Sequence, residues 1–151
     1  MEGKNYINGA FVDGTSGDRF ESRNPANFDE ILGTFPLSSE QDVNNAVSAA
    51  KTAYDGWRRL SRIKRGEHFD EFVQLLKKDR EEISRLVTKE CGKGIVEGRA
   101  DVTEGIHMVQ YTFGTVRMPH GDVVDSEIPE KDAFMRRKPK GVVAAISPWN
   151  F

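Results

Sequence analysis

Asn150 is the residue whose type and setting best suit chemistry. It stands in Ser147-Pro148-Trp149-Asn150-Phe151, directly after the apolar run Val142-Val143-Ala144-Ala145-Ile146. A side-chain amide offers two N–H donors and no charge. Held on a rigid turn at a strand end, it can aim a donor at the oxygen of a carbonyl becoming tetrahedral. One such donor contributes about 2.7–4 kcal/mol of transition-state stabilisation. The competing reading is local: Asn150 caps a turn or a following helix. Trp149 and Phe151 flank it and read equally well as core aromatics.

Other reactive groups are less well placed. Cys91 is the only thiol, so an internal disulfide framework is excluded. A catalytic thiolate needs a helix N-terminus or a nearby cation, and Lys89 and Lys93 are its only sequence neighbours of that kind. A partly buried, inert thiol near a helix end is the simpler reading. Glu90 beside it reads as an oxygen ligand or a helix-end salt bridge. Gly92-Lys93 is not a phosphate loop, because Val87 stands where a glycine is needed and Gly94 where Ser or Thr is needed. No Gly-x-Gly-x-x-Gly occurs, and His68, His107 and His120 are too scattered for a local metal motif.

The elements that must position these groups are legible in the periodicity. Tyr6 to Val12 and Arg19 to Ser22 read as short strands around the Gly-rich turn 13–17. Ile31 to Leu37 is a third extended piece, closed by Pro36. A first helix begins at Ser38 or Ser39, with Ser38 and Gln41 fitting a capping box. Val43, Val47, Ala50, Tyr54 and Trp57 form its apolar stripe. A second helix is expected from about Ile63 to Thr88, with Lys77 to Glu82 as a solvated run. A third runs from about Ile95 to Phe113 and carries Val102, Ile106, Val109 and Phe113 on one face. Gly105 inside it costs about 1 kcal/mol relative to Ala, which suggests close packing or a tolerated cost. Gly114 to Lys131 is turn-rich. Ala133 to Lys138 and Val142 to Ile146 read as strands.

The last of these poses a physical problem. A continuous apolar strand is normally covered on both faces and paired on both edges. Nothing else in the chain supplies parallel neighbours, and bare edges invite aggregation. The expectation is that further chain exists, deleted, absent from view or supplied as a separate polypeptide.

The 151 residues allow one ordinary domain. A net charge of −2 gives no reason to expect a nucleic-acid or membrane surface. No apolar run approaches the roughly 18 residues that span a bilayer, and Met1 to Asn5 lacks the apolar stretch of a signal peptide. A cytoplasmic protein is the simplest expectation.

Gly141 to Phe151 resembles the end of the first nucleotide-domain strand of the aldehyde dehydrogenase superfamily, with its Pro-Trp-Asn-Phe signature. Asn24-Pro25-Ala26 resembles the family's early Asn-Pro turn. Ser38 to Trp57 resembles its first helix, Arg65 the arginine opening the next, and Glu90-Cys91-Gly92-Lys93 a Glu-Thr-Gly-Lys-Pro segment. Cys91 in place of Thr and Gly94 in place of Pro are departures that bear on subfamily and loop shape.

The resemblance implies an α/β fold: the N-terminal part of an aldehyde dehydrogenase-type, Rossmann-like nucleotide-binding domain, with β-arm strands, three helices and the first parallel strand. Strands near 6–22 and 133–138 resemble pieces of the family's oligomerisation sheet, so a homo-oligomer, dimer or tetramer, is implied. Asn150 would supply an oxyanion-hole donor. Ile146, Ser147, Pro148, Trp149 and Asn150 would form the floor for NAD or NADP, largely through backbone groups, and Phe151 would line the aldehyde tunnel. Glu90, with backbone carbonyls near Ile31, would hold a monovalent cation. The family's nucleophilic cysteine and general-base glutamate lie downstream of the Pro-Trp-Asn segment, so this chain alone is expected to be inactive. The alternative is a catalytically silent fragment that serves only as an assembly module.

Overall fold

A computed structural model describes residues 1–147. The chain opens with two antiparallel hairpins. In the first, β1 (Asn5–Ile7) pairs with β2 (Ala10–Val12). Asn8 and Gly9 between them have φ of 52° and 79°, as a two-residue type I′ turn requires. Tyr6 faces Phe11, with ring centroids 5.1 Å apart. The expected single strand over Tyr6 to Val12 is therefore a hairpin in its own right, and it does not pair with Arg19 to Ser22.

The second hairpin joins β3 (Arg19–Asn24) to β4 (Asn27–Pro36), in register Arg19↔Pro36 to Ser22↔Gly33, with a bulge near Arg23. Pro25 and Ala26 make its turn, where the Asn24 side chain accepts a 2.9 Å hydrogen bond from the Ala26 N–H. β4 thus starts earlier than the extended piece expected from Ile31. The first residues of the chain add to its edge: Gly3 N–H donates to the Thr34 carbonyl at 2.8 Å, and Thr34 N–H to the Met1 carbonyl at 3.0 Å.

Helices follow: α1 (Glu40–Arg59), α2 (Arg62–Lys78), α3 (Arg80–Cys91) and α4 (Ile95–Gly114), ending in a 3₁₀ turn at Thr115–Arg117. Four α-helices stand among the described residues where three were expected, because the segment from Ile63 to Thr88 breaks at Asp79. Asp79 closes α2 through its N–H to the Leu75 carbonyl (3.0 Å) and opens α3 through its carbonyl to the Ile83 N–H (3.0 Å). The break turns Ile83 and Val87 back onto the core. Asp79 makes no side-chain capping hydrogen bond, but Glu81 and Glu82 in the first turn of α3 complement the helix dipole.

The core is formed by α2, α3 and α4. Val73, Val102 and Ile106 are buried, and Leu76, Ile83, Val87 and Val109 pack against them. Ser84 is fully buried and returns its hydroxyl to the Arg80 carbonyl at 2.7 Å. Gly98 of α4 lies over this point: a Cβ there would sit 2.8 Å from the Ser84 carbonyl oxygen and 2.7 Å from Thr88 Oγ1. Close packing suggested for Gly105 belongs to Gly98 instead, since Gly105 faces open space.

A third hairpin, β5 (Gly121–Val124) with β6 (Ala133–Arg136), follows the helices. β5 falls in the stretch from Gly114 to Lys131, expected to be turn-rich. Val142 to Ile146, expected as the first parallel strand, pairs with no strand among the described residues. Val143 and Ile146 are 74% and 93% exposed. The reason is that a strand is a property of a pair, and no parallel neighbour among the described residues supplies the ladder.

Much apolar surface stays open. The accessible area is 11994 Å² for a 17.0 kDa chain, whereas the scaling for compact monomers gives about 7,700 Å². Val123, Phe134 and Met135 of the third hairpin and Tyr6 and Phe11 of the first lie on this surface.

Candidate functional site

The site expected from the sequence has two parts, the turn after Val142–Ile146 and the end of α3. Of the first, Ile146 and Ser147 are described and both are exposed. No backbone hydrogen bond ties either of them to another described residue. Pro148, Trp149, Asn150 and Phe151 lie outside the described residues.

The end of α3 is built in detail. Gly92 caps the helix in the left-handed region (φ 69°), its N–H donating to the Thr88 carbonyl at 2.9 Å. A side chain is excluded there twice over. The φ disfavours one, and a Cβ would meet Pro25 Cγ at 2.9 Å. The helix end thus rests on the Pro25–Ala26 turn of the second hairpin. An ion pair fastens the contact: Lys89 Nζ lies 2.5 Å from Glu30 Oε1, while Asn24 Nδ2 donates to Glu30 Oε2 at 2.8 Å. The Lys89 ammonium first, and then the Asn24 amide, hold the Glu30 carboxyl below its ordinary range.

This fastening sets Glu90 and Ile31 on adjoining elements, because each follows a member of the Lys89–Glu30 pair. Both are exposed. Among the described residues, no cluster of three or more His, Cys, Asp or Glu could hold a metal ion. A site at Glu90 would therefore need backbone carbonyls for its remaining oxygen ligands.

Beyond Gly92 the chain is anchored to α4. Lys93 pairs with Asp101, both largely withdrawn from solvent, and the Asp101 carboxylate raises the Lys93 ammonium above its ordinary range. Cys91 is exposed at the last turn of α3 rather than partly buried. It lies at a helix C-terminus, where the dipole opposes a thiolate. That position does not suit a nucleophile.

One residue escaped the sequence reading. Asp42, 4% exposed, binds the Gly-rich turn to the start of α1. Its carboxylate accepts from the Ser39 N–H (2.8 Å), the Ser39 hydroxyl (3.0 Å) and the Thr15 N–H (3.1 Å). The Ser39 backbone N–H is the main reason its carboxyl stays below the ordinary range. The capping box is therefore Ser39 with Asp42, not Ser38 with Gln41. Ser39-x-x-Asp42 was the available signal. Ser38 instead donates to Asn5 Oδ1 at 3.0 Å. No helix among the described residues is long and apolar enough to cross a membrane.

Comparison with known proteins joins these observations. The family model described as the aldehyde dehydrogenase family matches residues 11–151. An alpha-ketoglutaric semialdehyde dehydrogenase of Bacillus subtilis (strain 168) is 37% identical over 147 residues, covering 97% of this chain and 30% of that protein. A malonate-semialdehyde dehydrogenase of Lacticaseibacillus casei is 40% identical over 149 residues, with 98% and 30% covered. A betaine aldehyde dehydrogenase from Staphylococcus aureus, solved with NAD+, superposes with a TM-score of 0.78 at 27% identity, over 85% of this chain and 26% of that one. The chain thus spans about 30% of the length of these curated relatives. The helix-and-hairpin fold and the match across 11–151 place the chain in the aldehyde dehydrogenase family, as a stretch from its N-terminal, nucleotide-binding portion.

Proposed function

We propose that this chain is the N-terminal portion of an NAD(P)-dependent aldehyde dehydrogenase that oxidises an aldehyde to a carboxylic acid. The observation that carries the reading is the family match running through Ser147-Pro148-Trp149-Asn150-Phe151. In this reading residues 1–151 are part of the NAD(P)-binding domain, with oligomerisation-arm strands near 6–22 and 133–138, in a cytoplasmic homo-oligomer.

The residues present fit a nicotinamide cofactor in part. Ile146 and Ser147 are exposed and tied to no other described residue, so their backbone polar groups are open to a planar amide. Ile146, Ser147, Pro148, Trp149 and Asn150 would hold that end, and the bound cofactor would supply the hydride acceptor. Asn150 would donate its side-chain N–H to the aldehyde oxygen as negative charge develops there. Phe151 would shape the approach of the aldehyde. Glu90 and the backbone near Ile31 would bind a monovalent cation. The thiohemiacetal and thioester would form on a cysteine outside this chain, as would general-base catalysis. Cys91 is on the wrong end of its helix for the first role.

Fusion of the chain at Phe151 to the matching C-terminal segment of the Lacticaseibacillus casei relative tests the reading. The assay follows reduced nicotinamide with malonate semialdehyde and other aldehydes. The chain alone should show no turnover. The fusion should turn over, and Asn150→Ala in it should lose about 10²–10³ in kcat. Turnover by the chain alone would refute the missing nucleophile, and an unchanged kcat in the variant would refute the oxyanion role. The open apolar surface favours a second reading, an assembly module without activity. That reading requires a silent fusion together with a chain that associates stably in solution.

A further inference from the structure

The joint between the end of α1 and the segment after β6 holds a hollow of about 320 Å³. Its charged lining is of one sign: Arg58, Arg65, Arg137, Lys138 and Lys140, joined by His120. No Asp or Glu lines it among the described residues. Among the described residues, only one of these cations has a carboxylate partner: Arg58 Nε lies 2.7 Å from Asp55 Oδ1, on the same helix. Arg65 turns one guanidinium nitrogen to the Leu60 carbonyl, 2.5 Å away. Arg137, Lys138 and Lys140 make no side-chain hydrogen bond or ion pair with any described residue.

Five permanent cations around one concavity repel each other, and low-dielectric walls concentrate their field. Elsewhere on this surface cations are neutralised in pairs, as in Lys89–Glu30, Arg99–Glu81 and Lys64–Glu67. Lys77 and Lys78 on α2 also have no ion pair among the described residues, but the hollow gathers its cations around one concavity. On the hairpin side of the hollow, the Arg137 N–H donates to the His120 carbonyl at 3.0 Å and fixes the start of the 137–141 segment. Pro139, between the two lysines, fixes its own backbone φ. The rings of Tyr54 and Trp57 add a flat apolar wall, and Arg58 lies 5.6 Å over the Tyr54 ring.

We propose that this hollow binds a multiply charged phosphate ligand. Guanidinium forks suit phosphate oxygens in bidentate contact, and lysines add point charges. The volume exceeds what a single phosphate fills, so a diphosphate or a phosphate ester with its carbon skeleton on Trp57 matches it better. The assignment stands independently of the dehydrogenase reading.

Isothermal titration of the 151-residue chain with inorganic pyrophosphate tests it, alongside a Glu-rich peptide. Saturable binding of pyrophosphate near one per chain is expected. The Arg137→Gln/Lys140→Gln double variant should weaken it at least tenfold. Lys77→Gln/Lys78→Gln, which removes equal charge from the end of α2, should change it less than twofold. Thermal melts of both variants should match the parent, since all four side chains are exposed. Equal weakening in the two double variants would reduce the effect to net charge and overturn the site. So would absence of saturable heat, or binding of the acidic peptide alone.

Discussion

Two glycines on one helix should answer the same substitution differently. Gly98 and Gly105 both lie in α4. Each loses about 1 kcal/mol of helix stability relative to alanine, so Gly→Ala should recover that amount wherever the added methyl has room. At Gly105 nothing lies within 4 Å of the new Cβ. Gly105→Ala should therefore stabilise the chain by up to about 1 kcal/mol. At Gly98 the new Cβ would stand 2.8 Å from the Ser84 carbonyl oxygen and 2.7 Å from Thr88 Oγ1. The hydroxyl can rotate away, but the carbonyl belongs to α3 and moves only with the helix. Overpacking of this kind costs about 1–3 kcal/mol. Set against the propensity gain, Gly98→Ala should be neutral to about 2 kcal/mol destabilising.

The separation between the two variants is the sharper quantity. It removes the propensity contribution and leaves the steric cost, about 1–3 kcal/mol. At about 2–4 °C per kcal/mol for a chain of this size, the melting temperatures should differ by at least about 2 °C. Thermal and urea unfolding followed by helical circular dichroism measure both. If Gly98→Ala proved as stabilising as Gly105→Ala, then α3 and α4 would not meet at Ser84, and the arrangement of the core would be wrong.

Further tests concern the caps and turns. Ser39→Ala should cost about 1 kcal/mol by removing the N-cap of α1, while Ser38→Ala should stay within about 0.5 kcal/mol; urea midpoints distinguish the two registers. Asp42 titrates with a folded-state carboxyl held below its ordinary value of 3.8. Its contribution should be complete above that value and be lost as pH falls through the lower folded value. The acid limb of stability against pH should accordingly flatten in Asp42→Asn. Gly92→Ala should cost about 1–2 kcal/mol from its left-handed backbone alone, and more through the Pro25 contact; a melt at neutral pH reads it.

What the sequence made legible was whatever depends on neighbours along the chain. The helical extent of α1 and the Val102–Ile106–Val109 face of α4 follow from three- and four-residue spacing, whereas Val43, Ala50 and Trp57 of the expected α1 stripe stay exposed. The split at Asp79 was hidden because Lys77 to Glu82 is wholly charged, and a run without apolar residues carries no phase to interrupt. The first hairpin was overlooked despite Asn8-Gly9, the strongest short signal for one, because Tyr6 to Val12 is short enough to read as one strand. β5 found its partner in Ala133 to Arg136, beyond a long turn-rich stretch, and no local pattern announces such a pairing. The site divides in the same way. Glu90 was matched by family motif, with backbone carbonyls near Ile31 as its implied partners, but what joins α3 to β4 is Lys89 reaching Glu30 and Gly92 resting against Pro25, contacts between residues some sixty positions apart.

The run from Val142 to Ile146 shows why composition alone cannot make an element. Its residues have strong strand preference, but that preference reflects fit to a half-buried, pleated surface. Here all five are exposed, and no strand among the described residues offers a parallel ladder. The helical core owes nothing to them, because Val73, Val102 and Ile106 pack among α2, α3 and α4. The chain therefore has two kinds of structure: helices that share a small core of their own, and an apolar segment whose order depends on partners. In the proposed enzyme, that segment carries the cofactor floor and the oxyanion donor at its end. Assembly of the sheet and assembly of the site would then be one event. Whatever supplies the parallel neighbours would also set the turn after Ile146, and with it the direction in which Asn150 presents its amide.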